Sequence, residues 1–148
     1  PLLGDQPAEA FDATQEMRLQ AVRGLAARPA GAVLHVTLDG TMTPYVWAID
    51  DRPWGQHKAL DVEGGRRIEL IMENRSMMAH PMHLHGHTFQ VVQIGDRRFA
   101  GAVRDTVHVP AHQRAVIAFD AGERARWMFH CHHMPHLATG MMTELAVS

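Results

Sequence analysis

Eight of the 12 histidines in this 148-residue chain fall in two short windows, positions 80–87 and 130–136, and the single cysteine lies in the second. The first reads His80-Pro81-Met82-His83-Leu84-His85-Gly86-His87; the second reads His130-Cys131-His132-His133-Met134-Pro135-His136, with Met141 just beyond. One cysteine cannot close an internal disulfide, so Cys131 is a buried apolar group, a reactive thiol or a metal ligand, and its neighbours must decide. Cys131, His136 and Met141 offer a thiolate, an imidazole and a thioether from one strand-loop-strand segment, and His80 offers a second imidazole from a different strand. Two imidazoles, a thiolate and a long axial thioether suit a mononuclear copper centre; zinc is the main competitor, and the axial position tips the choice to copper.

Side chains two apart on a strand share a face, and their intervening neighbour points the other way. His83 and His85 therefore share one face, as do His130 and His132, while Cys131 faces away from the latter pair. Cys131 becomes a covalent bridge between two sites on opposite sides of one strand, its Cα only about 3.8 Å from those of its neighbours. The four imidazoles of His83, His85, His130 and His132 would on ligand type alone accept zinc, copper or iron. Their interleaving with the cysteine site favours a linked copper arrangement.

The elements that must hold these residues read as β-strands. From Val33 onward, short apolar or alternating runs are broken by Gly, Asp and Pro: Val33 to Leu38, Tyr45 to Ile49, Arg67 to Asn74, Phe89 to Ile94, Thr106 to Val109, Arg114 to Phe119, Ala125 to Cys131 and Met141 to Val147. Such regular spacing with no helix between strands predicts an all-β, antiparallel Greek-key sandwich or barrel. Residues 1–30, with three prolines and an Ala-, Gln-, Glu- and Arg-rich stretch from Ala8 to Ala27, read as a linker carrying one possible helix, and residues 31–148 as the domain.

Composition narrows the class. The chain is long enough for one core of ordinary size. A formal net charge of −2 without blocks of like charge gives no footprint for nucleic acid or an anionic bilayer, and no apolar run reaches a membrane span. The sequence begins at Pro1 with no charged-then-apolar leader, so a signal peptide in a precursor is expected to have been removed.

The segments 78–87 and 129–142 resemble the two copper-binding signatures of the third cupredoxin domain of multicopper oxidases, most closely bacterial laccase-like and copper-resistance oxidases. The resemblance extends more loosely through 45–50 and 104–107 and covers roughly residues 33–148. It implies a cupredoxin fold, with His80, Cys131 and His136 as ligands of a type 1 copper and Met141 axial. It implies His83 as a type 2 ligand and His85, His130 and His132 as type 3 ligands. In such oxidases a phenol-like or low-valent metal reductant gives electrons over the edge of the histidine matching His136. They pass through the cysteine matching Cys131 to a trinuclear cluster that reduces dioxygen to water, which makes Cys131 and His136 the catalytic pair. Four further cluster histidines come in the family from His-X-His pairs in an N-terminal cupredoxin domain. His35, His57, His108 and His112 stand alone, so the missing half is expected from a removed or separate polypeptide or a second copy of this domain. An extracytoplasmic, periplasmic-type location follows by the same analogy, and an axial Met, rather than Leu or Phe, implies a potential toward the lower end.

Simpler readings stand beside these. The four lone histidines are expected to be structural, and His87 and His133 to be neighbours of ligands or surface groups. Met77, Met78, Met82, Met128, Met134 and Met142 read better as core fillers than as a thioether relay for Cu(I). Trp47, Trp54 and Trp127 read as core. Asp105 is equally a ligand-orienting or proton-relaying carboxylate and an exposed turn residue. Two alternatives to the oxidase domain remain: a stand-alone blue-copper electron carrier, which leaves His83, His85, His130 and His132 without purpose, and a non-enzymatic copper-binding module.

Overall fold

In the computed structural model, which describes residues 12–148, the alternating runs form strands. In chain order these are β1 (Ala32–Met42), β2 (Tyr45–Ile49), β3 (Leu60–Val62), β4 (Arg67–Asn74), β5 (His80–Leu84), β6 (Phe89–Ile94), β7 (Arg97–Arg98), β8 (Val103–Arg104), β9 (Thr106–Val109), β10 (Arg114–Asp120), β11 (Ala125–Cys131) and β12 (Met142–Val147). Two five-residue helices, α1 (Thr14–Arg18) and α2 (Met134–Ala138), complete the described elements.

One sheet runs β2-β1-β4-β10-β6-β7 with β8 also on β6; the other runs β3-β12-β11-β5-β9. Their inner faces share one apolar cluster, from Val36, Leu38, Ile68 and Ile117 on the first sheet to Met82, Leu84, Phe129 and Leu145 on the second. This is the all-β sandwich the strand pattern predicts.

Two details differ from the expectation. The pairs β1–β4 and β3–β12 are parallel, not antiparallel. Between β1 and β4 the chain crosses to the second sheet to lay down β3 and returns, and period-two alternation reports which face is buried but not strand direction. A helix, α2, also stands between β11 and β12. With Pro in its first turn and a length of five residues it is too short to display a helical apolar stripe.

Of the 8–27 stretch, read as carrying one possible helix, positions 8–11 lie outside the described residues and only Thr14–Arg18 is helical, Leu19 being extended. The segment that follows is tied to the sandwich. Leu25 N–H donates to Gln90 Oε1 at 3.2 Å, and the buried Arg67 guanidinium donates to Ala26 O at 2.9 Å and to Asp120 at 2.7 Å. No helix among the described residues is long and apolar enough to cross a membrane.

Candidate metal centre

The site is built on the antiparallel pair β5–β11, whose register sets Leu84 opposite Phe129, His83 opposite His130 and Met82 opposite Cys131. His80, Met82 and Leu84 are buried on the core side of β5, as are Phe129 and Cys131 on β11. His83 and His130 therefore form a cross-strand pair on the outer face, back to back with the cysteine.

On the inner side His80 Nδ1 and His136 Nδ1 lie 3.1 Å apart, each 3.8 Å from Cys131 Sγ. All three side chains, and that of Met141, are fully buried. Short backbone bonds hold this loop closed: Met141 N–H donates to His136 O at 3.0 Å, and Cys131 N–H to Met141 O at 3.1 Å. Gly140 permits it, since φ is 125° and a Cβ there would stand 2.6 Å from Trp47 O and 2.7 Å from Pro53 Cβ.

Burial, and then the neighbouring His136, His133 and His108, bring His80 down to about 3, and burial with His133 brings His136 down to about 4. Burial pushes the Cys131 thiol up to about 11, opposed by the His133 N–H that donates to its sulfur at 3.4 Å. Two neutral imidazoles thus bring their Nδ1 atoms to a buried sulfur. That donor set fits a soft transition-metal cation, which would take up the lone pairs and release the thiol proton.

On the outer side His85 Nε2 is 2.9 Å from His130 Nε2, and His83 completes a cluster with donor atoms within 4.8 Å of one another. The His132 ring centroid lies 5.9 Å from those of both His83 and His130, at the margin of that cluster. His130 Nδ1 is 2.9 Å from Cys131 O, and His83 Nδ1 is 2.9 Å from Asp105 O and 3.1 Å from Thr106 Oγ1. These contacts engage one nitrogen of each ring and leave the other to converge. The acidities of His85 and His130 as imidazolium ions are both raised, their pKa values lying below the ordinary histidine range through desolvation and the neighbouring imidazoles. His85 and His132 are exposed, so this cluster is a surface wall, whereas the cysteine cluster is enclosed.

Other expected roles sort by position. His35 faces solvent beside Glu73, and His57 stacks on Trp54 at 4.2 Å and contacts Glu144. His112 sits in a left-handed turn with φ 55°. Neither of these three, nor His108, joins a metal-type cluster among the described residues. His87 ties chain segments, with Nδ1 2.9 Å from His85 O and Nε2 accepting Gly122 N–H. At His83 it is the carbonyl of Asp105, not its exposed carboxylate, that makes the close contact.

Two expectations about the core are corrected. Met82 is fully buried, but Met77, Met78, Met128 and Met134 are exposed, because they occupy the loop before β5, the outer face of β11 and the first turn of α2. Trp54 is likewise 40% exposed and lies outside the core, whereas Trp47 is buried and Trp127 packs partly against it.

Residues not singled out from sequence are Asn74 and Ser76. Ser76 Oγ lies 2.8 Å from His80 Nε2, and both side chains are buried. An Asn and a Ser two apart after a strand read as an ordinary turn, and only their closeness to His80 in the sequence could have pointed to them.

The sequence pattern of the multicopper oxidase family matches residues 27–148. Multicopper oxidase MmcO of Mycobacterium tuberculosis is 41% identical over 112 residues, which are 76% of this chain and 22% of that protein. A copper resistance protein A homolog of Pseudomonas syringae pv. tomato is 30% identical over 81% of this chain and 20% of its own length. Among solved structures, the McoA multicopper oxidase of Aquifex aeolicus superposes with a TM-score of 0.73 at 26% identity, over 85% of this chain and 31% of that one. The multicopper oxidase of Campylobacter jejuni, a metallo-oxidase, shares the fold with a TM-score of 0.74 at 20% identity, over 82% of this chain and 31% of that one. The chain spans about a fifth of the length of these relatives and under a third of the solved chains.

Proposed function

We propose, from the premise that this chain belongs to the multicopper oxidase family, that it is the cupredoxin domain carrying the electron-entry site and one wall of the dioxygen-reducing site of a laccase-like oxidase. In this reading His80, Cys131, His136 and Met141 would hold type 1 copper. His83 serves type 2 copper, and His85, His130 and His132 serve type 3 copper. Bound there, copper supplies one-electron acceptance from a phenol-like or low-valent metal reductant and, at the shared cluster, reduction of dioxygen to water. The partner is a cupredoxin domain, in the same protein or another subunit, bearing His-X-His pairs.

The observation that carries the reading is the back-to-back placement of the two clusters. Cys131 lies in the enclosed one, and its sequence neighbours His130 and His132 lie in or beside the exposed one. The chain's own residues perform distinct tasks. Cys131 gives up its proton on metal loading and provides the shortest covalent path between the faces. Trp47 and His133, with ring centroids 4.0 and 4.2 Å from that of His136, pack around it and keep water off the buried donors. Of the outer imidazoles, His85 and His132 remain open to solvent, as a half-site awaiting another surface requires.

Copper stoichiometry, visible absorption and oxygen uptake test this. The chain alone is expected to bind copper with an intense thiolate charge-transfer band that Cys131→Ser abolishes, and to consume oxygen only when joined to a domain bearing the complementary histidines. Absence of the band, or preference for zinc over copper, defeats the type 1 assignment; full oxygen reduction by the chain alone defeats the half-site assignment. An extracytoplasmic location is proposed on family grounds, and cell fractionation tests it.

A further inference from the structure

The surroundings of the Ser76 hydroxyl contain more acceptors than it has protons to give. Its oxygen lies 2.8 Å from Asn74 Oδ1, 3.0 Å from Met78 O and 2.8 Å from His80 Nε2, and it accepts Met78 N–H at 3.3 Å. Two of these neighbours, an amide oxygen and a carbonyl oxygen, can only accept, and the hydroxyl has one hydrogen. If that hydrogen were donated to His80, both short oxygen–oxygen contacts would lack a proton in a buried site. If it goes to Asn74 Oδ1 or Met78 O, one of those short oxygen–oxygen contacts carries a proton and the lone pairs of Ser76 remain free to accept one from His80 Nε2–H.

Asn74 in turn cannot readily rotate its amide to relieve the conflict. Its Nδ2 donates to Met78 O at 2.7 Å, Pro110 O at 3.0 Å and Val109 O at 3.3 Å, all carbonyls, which fixes that end as nitrogen and the other as oxygen. Its Oδ1 also accepts Ser76 N–H at 2.9 Å. This amide ties together the end of β4, the loop before β5 and the end of β9, and presents an acceptor to Ser76.

We infer that Ser76, held by Asn74, is a positioning residue that fixes His80 as its Nε2–H tautomer and so aims an unprotonated Nδ1 at Cys131 and His136. The inference rests on the copper reading for its functional meaning, but not for the tautomer itself. An imidazole whose outer N–H is engaged is set in orientation and made a better donor through its inner nitrogen, and losing such a partner lowers metal affinity by about 10- to 100-fold. The loss should be greater for the oxidised ion, which leans harder on nitrogen donation. A tenfold difference between the two oxidation states then corresponds to a rise of about 59 mV in a one-electron potential.

The test begins without metal. In the metal-free chain with 15N-labelled histidine, NMR at neutral pH is expected to show the His80 Nδ1 unprotonated and Nε2 protonated, the signals being assigned by their loss in His80→Gln. Ser76→Ala should populate both tautomers, and Ser76→Thr, which restores the hydroxyl, should return the single one. With copper, Ser76→Ala should bind the oxidised ion at least tenfold more weakly and Ser76→Thr should recover it. A protonated Nδ1 on His80 in the unmodified chain overturns the inference even if no variant folds, as does an unchanged tautomer in Ser76→Ala. If the expected tautomer is found but copper does not bind the unmodified chain, the copper reading has failed and the tautomer assignment has not.

Discussion

The indole of Trp47 lies against the His136 imidazole, with ring centroids 4.0 Å apart and planes 34° from parallel, and its centroid is also 5.1 Å from that of His80. Trp47 belongs to β2 in the first sheet, whereas His80 begins β5 in the second, so one buried ring braces the donors across the sandwich. Its Nε1 has no hydrogen-bond partner, so the brace acts through ring area. Trp47→Ala should cost about 3–5 kcal/mol. Trp47→Phe loses no hydrogen bond and should cost clearly less, both read by urea unfolding of the metal-free chain. Equal damage from the two variants would mean that the indole nitrogen matters and that the ring-packing account is wrong.

Gly140→Ala should be more destructive than its one added methyl suggests. The backbone is in a positive-φ conformation, and the new Cβ would meet fixed backbone and proline atoms at 2.6–2.7 Å. Gly55, at φ 91°, has nothing within 4 Å of a Cβ and isolates the backbone cost alone. Gly55→Ala should lose about 1 kcal/mol and Gly140→Ala about 3 kcal/mol or more. Copper affinity should fall only in the second, because residue 140 adjoins Met141 and its loop carries His136. Similar stabilities for the two would show that the 136–141 loop relaxes freely.

The two faces of β5 and β11 were legible in the sequence because alternation alone separates His80 and Cys131 from His83 and His130. What it could not supply was register: that His83 pairs with His130 depends on contacts across 46 intervening positions, which no local pattern encodes. Strand direction was hidden for the same reason, so the parallel β1–β4 pair appears only in three dimensions. Methionine is equally at home in a core gap or at a surface, so type and position did not distinguish buried Met82 from exposed Met77. Asn74 and Ser76 act through a hydrogen-bond geometry that their turn-forming residue types conceal.

The metal-free chain should lose stability as pH falls from neutrality. His80 and His136 have an ordinary value of 6.5 and are held at about 3 and about 4 in the fold, burial being the largest cause. Below 6.5 the unfolded chain binds protons that the folded chain refuses, so the contribution of these two groups is complete above that pH and drains away as pH falls toward 4. Each can add a slope of up to about 1.4 kcal/mol per pH unit. The carboxylates of Asp120 and Glu144, both held below their ordinary values by Arg partners, contribute chiefly below pH 5. Urea midpoints compared at pH 7 and 5 therefore report the histidines. His136→Gln should flatten the dependence, and a wild-type midpoint independent of pH over that interval would contradict it.

The two clusters should respond separately to substitution even though one strand carries both. Copper that binds only the folded chain raises the melting temperature by mass action, about 2.7 kcal/mol at a free concentration 100 times the dissociation constant. In the enclosed cluster, Cys131→Ser removes the sole thiolate and should abolish most of that increment together with the visible band. A buried hydroxyl without a good partner would cost the metal-free fold about 1–3 kcal/mol. His85→Ala touches only the exposed wall, where His85 is 2.9 Å from His130 but solvent reaches the ring. It should leave the band and nearly all of the copper-dependent stabilisation intact. It should nevertheless abolish oxygen reduction once the complementary histidine domain is supplied. Differential scanning calorimetry with and without copper, on both variants, decides the matter: a His85→Ala chain that loses the band would mean that the two faces are one metal site and that Cys131 does not separate them.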